Sequence, residues 1–256
     1  MRGTSATAAG PRPEQSPLVR RGTQVGTGVA IALAITATFA IAFVHTRIAA
    51  AGDLSLVVRA LVYATIGGAL IAWLAVKHDV TSTFGAANAV TLARGVLALD
   101  LLALLGSPPS VALAWSIVAL ALIALVLDGV DGRVARRRGE TSAFGARFDM
   151  ETDALLILVL AALAWSLGKA GAWILLAGAL RYLFIAAGVV LPWLRAELPP
   201  SRRRQSVCVV QIASLILCLV PFVPPPVSAA IGFTGLVALT GSFAADVALL
   251  ARRARD

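Results

Sequence analysis

Long apolar runs alternate with short polar connectors along nearly the whole chain. The runs lie at 26–45, 56–76, 88–106, 110–130, 150–168, 171–193, 205–222 and 227–250. Each is roughly 17–25 residues long, the length over which an α-helix crosses the hydrocarbon core of a bilayer. The pattern therefore predicts an all-α fold, a polytopic membrane helical bundle of about eight spans. Residues 1–24 have no apolar period and are rich in Gly, Pro, Ser, Thr and Arg, the composition of a disordered basic tail. The first run is span-length and lacks a small-residue cleavage site after it, so it reads as a span and not as a signal peptide.

Composition agrees with this pattern. The chain has 256 residues, 59% hydrophobic content and only 14% charged residues, with a mean hydropathy of +0.88. A soluble domain does not carry so little charge. The formal net charge of +9 would suit nucleic acid, but in a membrane protein excess Arg and Lys collect in cytoplasmic connectors and set orientation. One set of connectors and ends holds Arg20, Arg21, Lys77, Arg133, Arg136, Arg137, Arg138, Arg195, Arg202, Arg203, Arg204, Arg252, Arg253 and Arg255. The alternate set holds Gly106–Ser110, Pro221–Pro226 and loops carrying only Arg47 and Lys169. Both termini and the segment from Asp128 to Asp153 are thus expected at the cytoplasmic face of the cell's inner (plasma) membrane, with no nucleic-acid partner. Cys208 and Cys218 share one apolar run and suggest neither a disulfide nor a metal spacing; both read as small core residues. Arg59, Arg94, Asp100, Arg181 and Asp246 fall inside spans, where ionisable groups usually face the bundle interior. For Asp246 the expected role is a structural pairing with a cation in the bundle.

Candidate chemistry is concentrated between two of the spans. Asp128-Gly-Val-Asp131-Gly-Arg-Val-Ala135-Arg136 is followed by Ser142-Ala-Phe-Gly145 and then by Asp149-Met-Glu-Thr-Asp153. Asp128 and Asp131 are spaced i,i+3, and Asp149 and Asp153 i,i+4, so on helices each pair shares one face. A helical hairpin brings the pairs opposite each other. Four converging carboxylates repel unless cations neutralise them, and hard oxygen donors suit Mg²⁺, Mn²⁺ or Ca²⁺. Two such ions make a clamp for in-line displacement at phosphorus. Gly132 and Gly145 permit close approach of a ligand or of the facing helix, and Arg136 offers a forked donor to phosphate. Solvated ion pairing on a loop would explain any single pair here, but not two spaced acid pairs with a glycine near each.

The segment fits Asp-x2-Asp-Gly-x2-Ala-Arg-x8-Gly-x3-Asp-x3-Asp at every fixed position and so resembles the CDP-alcohol phosphatidyltransferases. An upstream element, Asn88-x2-Thr91-x2-Arg94, is similar to the family's first core helix, although Asn88 is also a good helix cap. The resemblance implies a six-helix core over 85–256, generally homodimeric, and leaves 25–80 as two additional N-terminal spans. By position, Asp128, Asp131, Asp149 and Asp153 would bind two divalent ions, Mg²⁺ or Mn²⁺. Asn88, Thr91, Gly132, Ala135, Arg136, Ser142 and Gly145 would contact a CDP-linked lipid, most often CDP-diacylglycerol. Asp153 would also be the general base that takes a proton from an alcohol acceptor, with CMP released.

Members of this family use glycerol phosphate, inositol or inositol phosphate, serine, choline or similar alcohols as acceptors. Arg147, Arg181 and the Arg202-Arg203-Arg204 cluster are candidates for an acceptor anion site, with membrane anchoring the other reading of residues 202–204. The stretch after Asp153 is Ala-Leu-Leu-Ile-Leu, without the basic residue often found there in glycerophosphate- and inositol-type members, which counts against both acceptors. Two rival readings of the same residues fit less well. A membrane prenyltransferase needs a second, distant acid-rich segment, which the chain lacks. An ion-coupled transporter places its site near the midplane, often in two related halves, whereas these acids lie at one interface in one hairpin. An inactive relative would lack motif residues, and none is missing.

Overall fold

A computed structural model describes residues 54–77, 86–138, 143–196, 198–199 and 201–255. The expected tail at 1–24 and the span expected at 26–45 lie outside the described residues. Among the described residues the chain is helical and has no strand: α1 (Leu54–Lys77), α2 (Ala86–Ala103), α3 (Val111–Arg138), α4 (Ala143–Ser166), α5 (Leu176–Val190), α6 (Arg202–Leu219) and α7 (Pro225–Arg253). Short 3₁₀ turns at Ala172–Leu175 and Pro192–Arg195 flank α5.

Local chemistry explains where these helices start and stop. Ser110 follows two prolines and its Oγ accepts the Leu113 N–H at 3.0 Å, so α3 begins there. Pro225 and Pro226 occupy the first turn of α7, where a missing N–H costs nothing. Gly106 and Gly168 adopt φ of +81° and +68° just past α2 and α4, a left-handed geometry that other residues adopt only at a cost. Val111–Gly129, Ala172–Val190 and Pro225–Arg253 are long and apolar enough to cross a membrane. At 28 residues, α3 is about 42 Å long. It therefore outruns the ~30 Å hydrocarbon layer, so apolar span and polar motif belong to one continuous helix.

The helices alternate up and down. α2, α3, α4 and α6 form the central bundle, with α2 against α3 and α4, and α6 against α3 and α4. α1 packs on α2, α5 on α4, and α7 on α6. Leu101, Ile117, Leu156, Leu160, Leu163, Ile212 and Leu215 are fully buried between them. Large apolar residues such as Val126, Trp165, Val190 and Phe233 are exposed on the outside, as a lipid-facing surface requires.

One end of the bundle is fastened by cation-to-carbonyl bonds. Lys169 Nζ donates to the carbonyls of Val220, Pro221 and Val223 at 2.9, 3.3 and 2.7 Å, tying the α4–α5 connection to the α6–α7 connection. Arg59 of α1 donates to the Leu105 carbonyl at 2.6 Å and to Ser107 Oγ at 3.4 Å in the α2–α3 connection. The acid motif lies at the opposite end.

Close approach of α4 and α5 depends on Gly178. A Cβ there would stand 2.4 Å from Leu158 Cα, a backbone atom that cannot step aside alone. Gly178→Ala is therefore expected to cost about 1–3 kcal/mol through overpacking. Gly241→Ala, where nothing lies within 4 Å, should be neutral or stabilising by up to about 1 kcal/mol. Thermal unfolding of the two variants in the same detergent checks this; equal midpoints would show that α4 and α5 do not pack through Gly178.

Candidate active site

Three helices build the site. α3 brings Asp128 at the end of its apolar stretch, and α4 brings Asp149 and Asp153 one turn apart on one face. α2 brings Arg94, whose side chain has no solvent exposure. Arg94 Nη1 lies 2.9 Å from Asp128 Oδ1 and 2.7 Å from Asp149 Oδ1. Its Nη2 bonds Asp153 Oδ1. One planar guanidinium thus joins three carboxylates, a task that suits its fork of fixed donors. On α6, the Cys208 thiol lies 3.4 Å from the other Asp153 oxygen, Oδ2.

The three carboxylates offer oxygens that all lie within 4.8 Å of one another. Oxygens opposed across a Mg²⁺ ion are about 4.2 Å apart, so the cluster has the dimensions of an ion site. Its donors are all hard carboxylate oxygens, which fits Mg²⁺ or Mn²⁺ and not a soft metal. Asp149 is the most open of the three, with 42% of its side chain exposed, against 21% for Asp128 and 20% for Asp153. The cluster is therefore most open to solvent on the Asp149 side.

Other expected site residues divide into those the structure gathers and those it sets apart. Asn88, Thr91 and Arg94 follow one another along one face of α2, with Thr91 buried and Asn88 half-buried. Gly145 is half-buried in the first turn of α4, just before Asp149. Asp131, Gly132, Ala135 and Arg136 belong to the last turns of α3, but their side chains, like all of Ser142, lie outside the described residues. Arg147 is exposed. Arg181 does not join the acid cluster: its Nη2 lies 2.5 Å from Glu151 Oε1, and its Nε donates to Glu151 Oε2 at 3.4 Å. Glu151 is two residues from both Asp149 and Asp153, which turns it to the opposite side of α4. Arg203 lies 2.5 Å from Asp246 Oδ1 and donates to the Ser242 carbonyl at 2.8 Å. Arg204 stands 3.4 Å from the same Asp246 oxygen. Asp246 is thus paired with cations of α6, while Arg202 is exposed.

Arg94 and Cys208 are the site residues that sequence reasoning did not assign. Arg94 carried a usable signal: a cation inside an apolar run needs a counter-charge, and the acid motif supplies the nearest large group of acids. For Cys208 no signal existed, since its contact with Asp153 spans two helices.

Removing Arg94 should be severe, because it leaves three neighbouring carboxylates uncompensated. Arg94→Met is expected to destabilise the protein by about 3–5 kcal/mol. Mn²⁺ should raise its unfolding temperature more than it raises the wild type's, since the ion then supplies the missing positive charge. Thermal unfolding with and without Mn²⁺ reads both effects. Wild-type stability in Arg94→Met would show that the acids do not depend on this side chain.

Comparison with known proteins bears on the same residues. A family model described as CDP-alcohol phosphatidyltransferase matches residues 84–243. The match takes in α2 to most of α7 and includes Arg94, the four motif aspartates and Cys208, leaving α1 outside. No curated protein and no solved structure matches the chain. A match over more than half of a helical, membrane-compatible chain, with an acid cluster at its centre, shows that the chain belongs to the CDP-alcohol phosphatidyltransferase family and is a transferase.

Proposed function

We propose that the protein transfers a phosphatidyl group from a CDP-linked lipid, CDP-diacylglycerol in the first instance, to the hydroxyl of an alcohol, releasing CMP. The observation that carries this reading is the meeting of Asp128, Asp149 and Asp153 within 4.8 Å in a chain of this family. Asp131 completes the ligand set for two divalent ions, Mg²⁺ or Mn²⁺. Ions bound there supply positive charge to the diphosphate and stabilise the charge that develops at phosphorus.

The chain's own residues do the rest. Asn88 and Thr91 on α2 and Gly145 at the start of α4 would contact the CDP group, together with Gly132, Ala135, Arg136 and Ser142 of the motif. Asp153 accepts the proton of the acceptor hydroxyl. The acceptor oxygen forms its bond to the lipid-side phosphorus as the bond from that phosphorus to the bridging oxygen breaks. CMP leaves with the electron pair, and the proton stays on Asp153 until solvent takes it. Arg94 holds the three carboxylates in register while this happens. Of the arginines expected at the acceptor, Arg147 and Arg202 are exposed, whereas Glu151 engages Arg181 and Asp246 engages Arg203 and Arg204. Recognition of an anionic acceptor therefore falls first to Arg147 and Arg202.

The setting we infer is the inner (plasma) membrane, with a six-helix core formed by α2 to α7 and two further spans ahead of it. The site and both termini face the cytoplasm, and the active form is a homodimer.

Purified full-length protein in detergent, offered CDP-diacylglycerol, Mg²⁺ or Mn²⁺ and a panel of alcohols, should release CMP and form an acceptor-dependent lipid. Asp149→Asn and Asp153→Asn keep the side-chain shape, and each should lower the rate by at least about 10²-fold. Chelation of divalent ions should abolish it. CMP release that persists in both variants, or with chelator, would exclude this reaction at this site.

A further inference from the structure

Asp153 differs from the other two acids in how it is held. Among the described residues, Asp128 and Asp149 each meet Arg94 through one oxygen, Oδ1. Asp153 is held at both oxygens, by Arg94 of α2 at Oδ1 and by Cys208 of α6 at Oδ2, the latter at 3.4 Å. A carboxylate only accepts, so the thiol donates.

α6 places this thiol by its helical spacing. Cys208, Gln211, Ile212 and Leu215 follow the i, i+3, i+4, i+7 pattern of one face. Gln211, Ile212 and Leu215 are buried in the bundle, and Cys208 ends that face at the level of the acids. The chain's second cysteine behaves differently. Cys218 is fully buried, and its Sγ lies 3.0 Å from the Ser228 carbonyl, fastening α6 to α7 far from the acids.

Rotation about the terminal bond of an Asp side chain is soft, with a broad, roughly two-fold profile. Arg94 alone holds one oxygen and leaves the carboxylate free to swing about that contact. A second donor on the other oxygen fixes the plane of the group, and so the direction from which it meets a proton or an ion. A thiol is a weak donor, so it can orient the carboxylate without withdrawing much of its basicity.

We propose that Cys208 is a positioning residue for Asp153: its thiol holds Oδ2, so that the carboxylate keeps the orientation the transfer requires. This rests on the reading of Asp153 as the base and ion ligand of the reaction above.

The test uses the full chain with Cys208→Ala, which removes the donor, and Cys208→Ser, which keeps one. Partners that orient a ligating group typically matter by 10–100-fold. Cys208→Ala should therefore lower kcat roughly 10–100-fold, with KM for CDP-diacylglycerol changed by less than about twofold. Cys208→Ser should stay within about threefold of wild type, with equal thermal stability in both variants. Mn²⁺ titration followed by electron paramagnetic resonance gives a readout independent of turnover. Affinity should fall in Cys208→Ala and recover in Cys208→Ser, while Cys218→Ala leaves it unchanged.

Full kcat and Mn²⁺ affinity in Cys208→Ala would overturn the proposal, and so would an equal loss in the Ala and Ser variants. A wild type that releases no CMP with any acceptor, yet still separates Ala from Ser in Mn²⁺ binding, would overturn the transfer reading and leave the positioning role standing.

Discussion

A guanidinium without solvent contact, set inside a membrane bundle, must be met by negative charge, and three clustered carboxylates need positive charge just as much. The acids of α3 and α4 satisfy Arg94, and Arg94 offsets part of their charge in return. Either partner alone would be costly: an unpaired buried ion costs several kcal/mol. Because the partners come from three helices, the requirement is also a constraint on assembly. α2, α3 and α4 have to meet at this height, with these faces inward, for any of the charges to be tolerated.

The remainder of the bundle is arranged around that meeting point. Gly178 lets α5 lie directly on α4 without pushing its acid face away from α2. At the far end, Lys169 gathers three carbonyls and Arg59 a fourth, so the connections there are held by charge-assisted bonds. The two ends of the bundle thus differ in kind. One has its cations spent on backbone carbonyls and closes the structure. The other has, among the described residues, three acids gathered around Arg94 and partly open to solvent, as the exposure of Asp149 shows.

Much of this was legible in the chain before any coordinates. The apolar runs located the described helices to within a few residues, except that α3 continues to Arg138, eight residues past its apolar run, and α4 begins at Ala143, seven residues before its own. There the polar first turns carry the motif, and hydropathy is blind to helix outside the hydrocarbon. The i,i+4 spacing correctly set Asp149 and Asp153 on one face, because helical periodicity is a local property. Of the contacts between helices, the meeting of Asp128 with Asp149 and Asp153 was legible in the motif, whereas others were not. Arg181 looked like a free intramembrane cation because its partner, Glu151, sits between two motif acids and shares their local sequence. Only the helical turn of α4 sends Glu151 to the other side. Cys208 was unreadable for the same reason, since what distinguishes it from Cys218 is the helix each one faces.

The pairing of charges bears on how an anionic lipid would reach the site. Within the described bundle, Asp128, Asp149 and Asp153 go to Arg94, Glu151 to Arg181, and Asp246 to Arg203 and Arg204. Arg94 offsets only part of the charge of its three acids, so that cluster stays negative, whereas Glu151 and Asp246 are matched by arginines of their own. Among the described residues, four exposed arginines lie at the ends of helices: Arg147 at the start of α4, Arg202 at the start of α6, and Arg252 and Arg253 at the end of α7. Alternating helix direction puts these three helix ends on the same side as the acid cluster. These exposed arginines form a collar beside the acid cluster, and in the proposed reaction such a collar would draw in a diphosphate while the carboxylates would hold divalent ions. The same collar satisfies the positive-inside rule in the proposed orientation, so one distribution of arginines would serve both to orient the protein in the membrane and to concentrate its substrate.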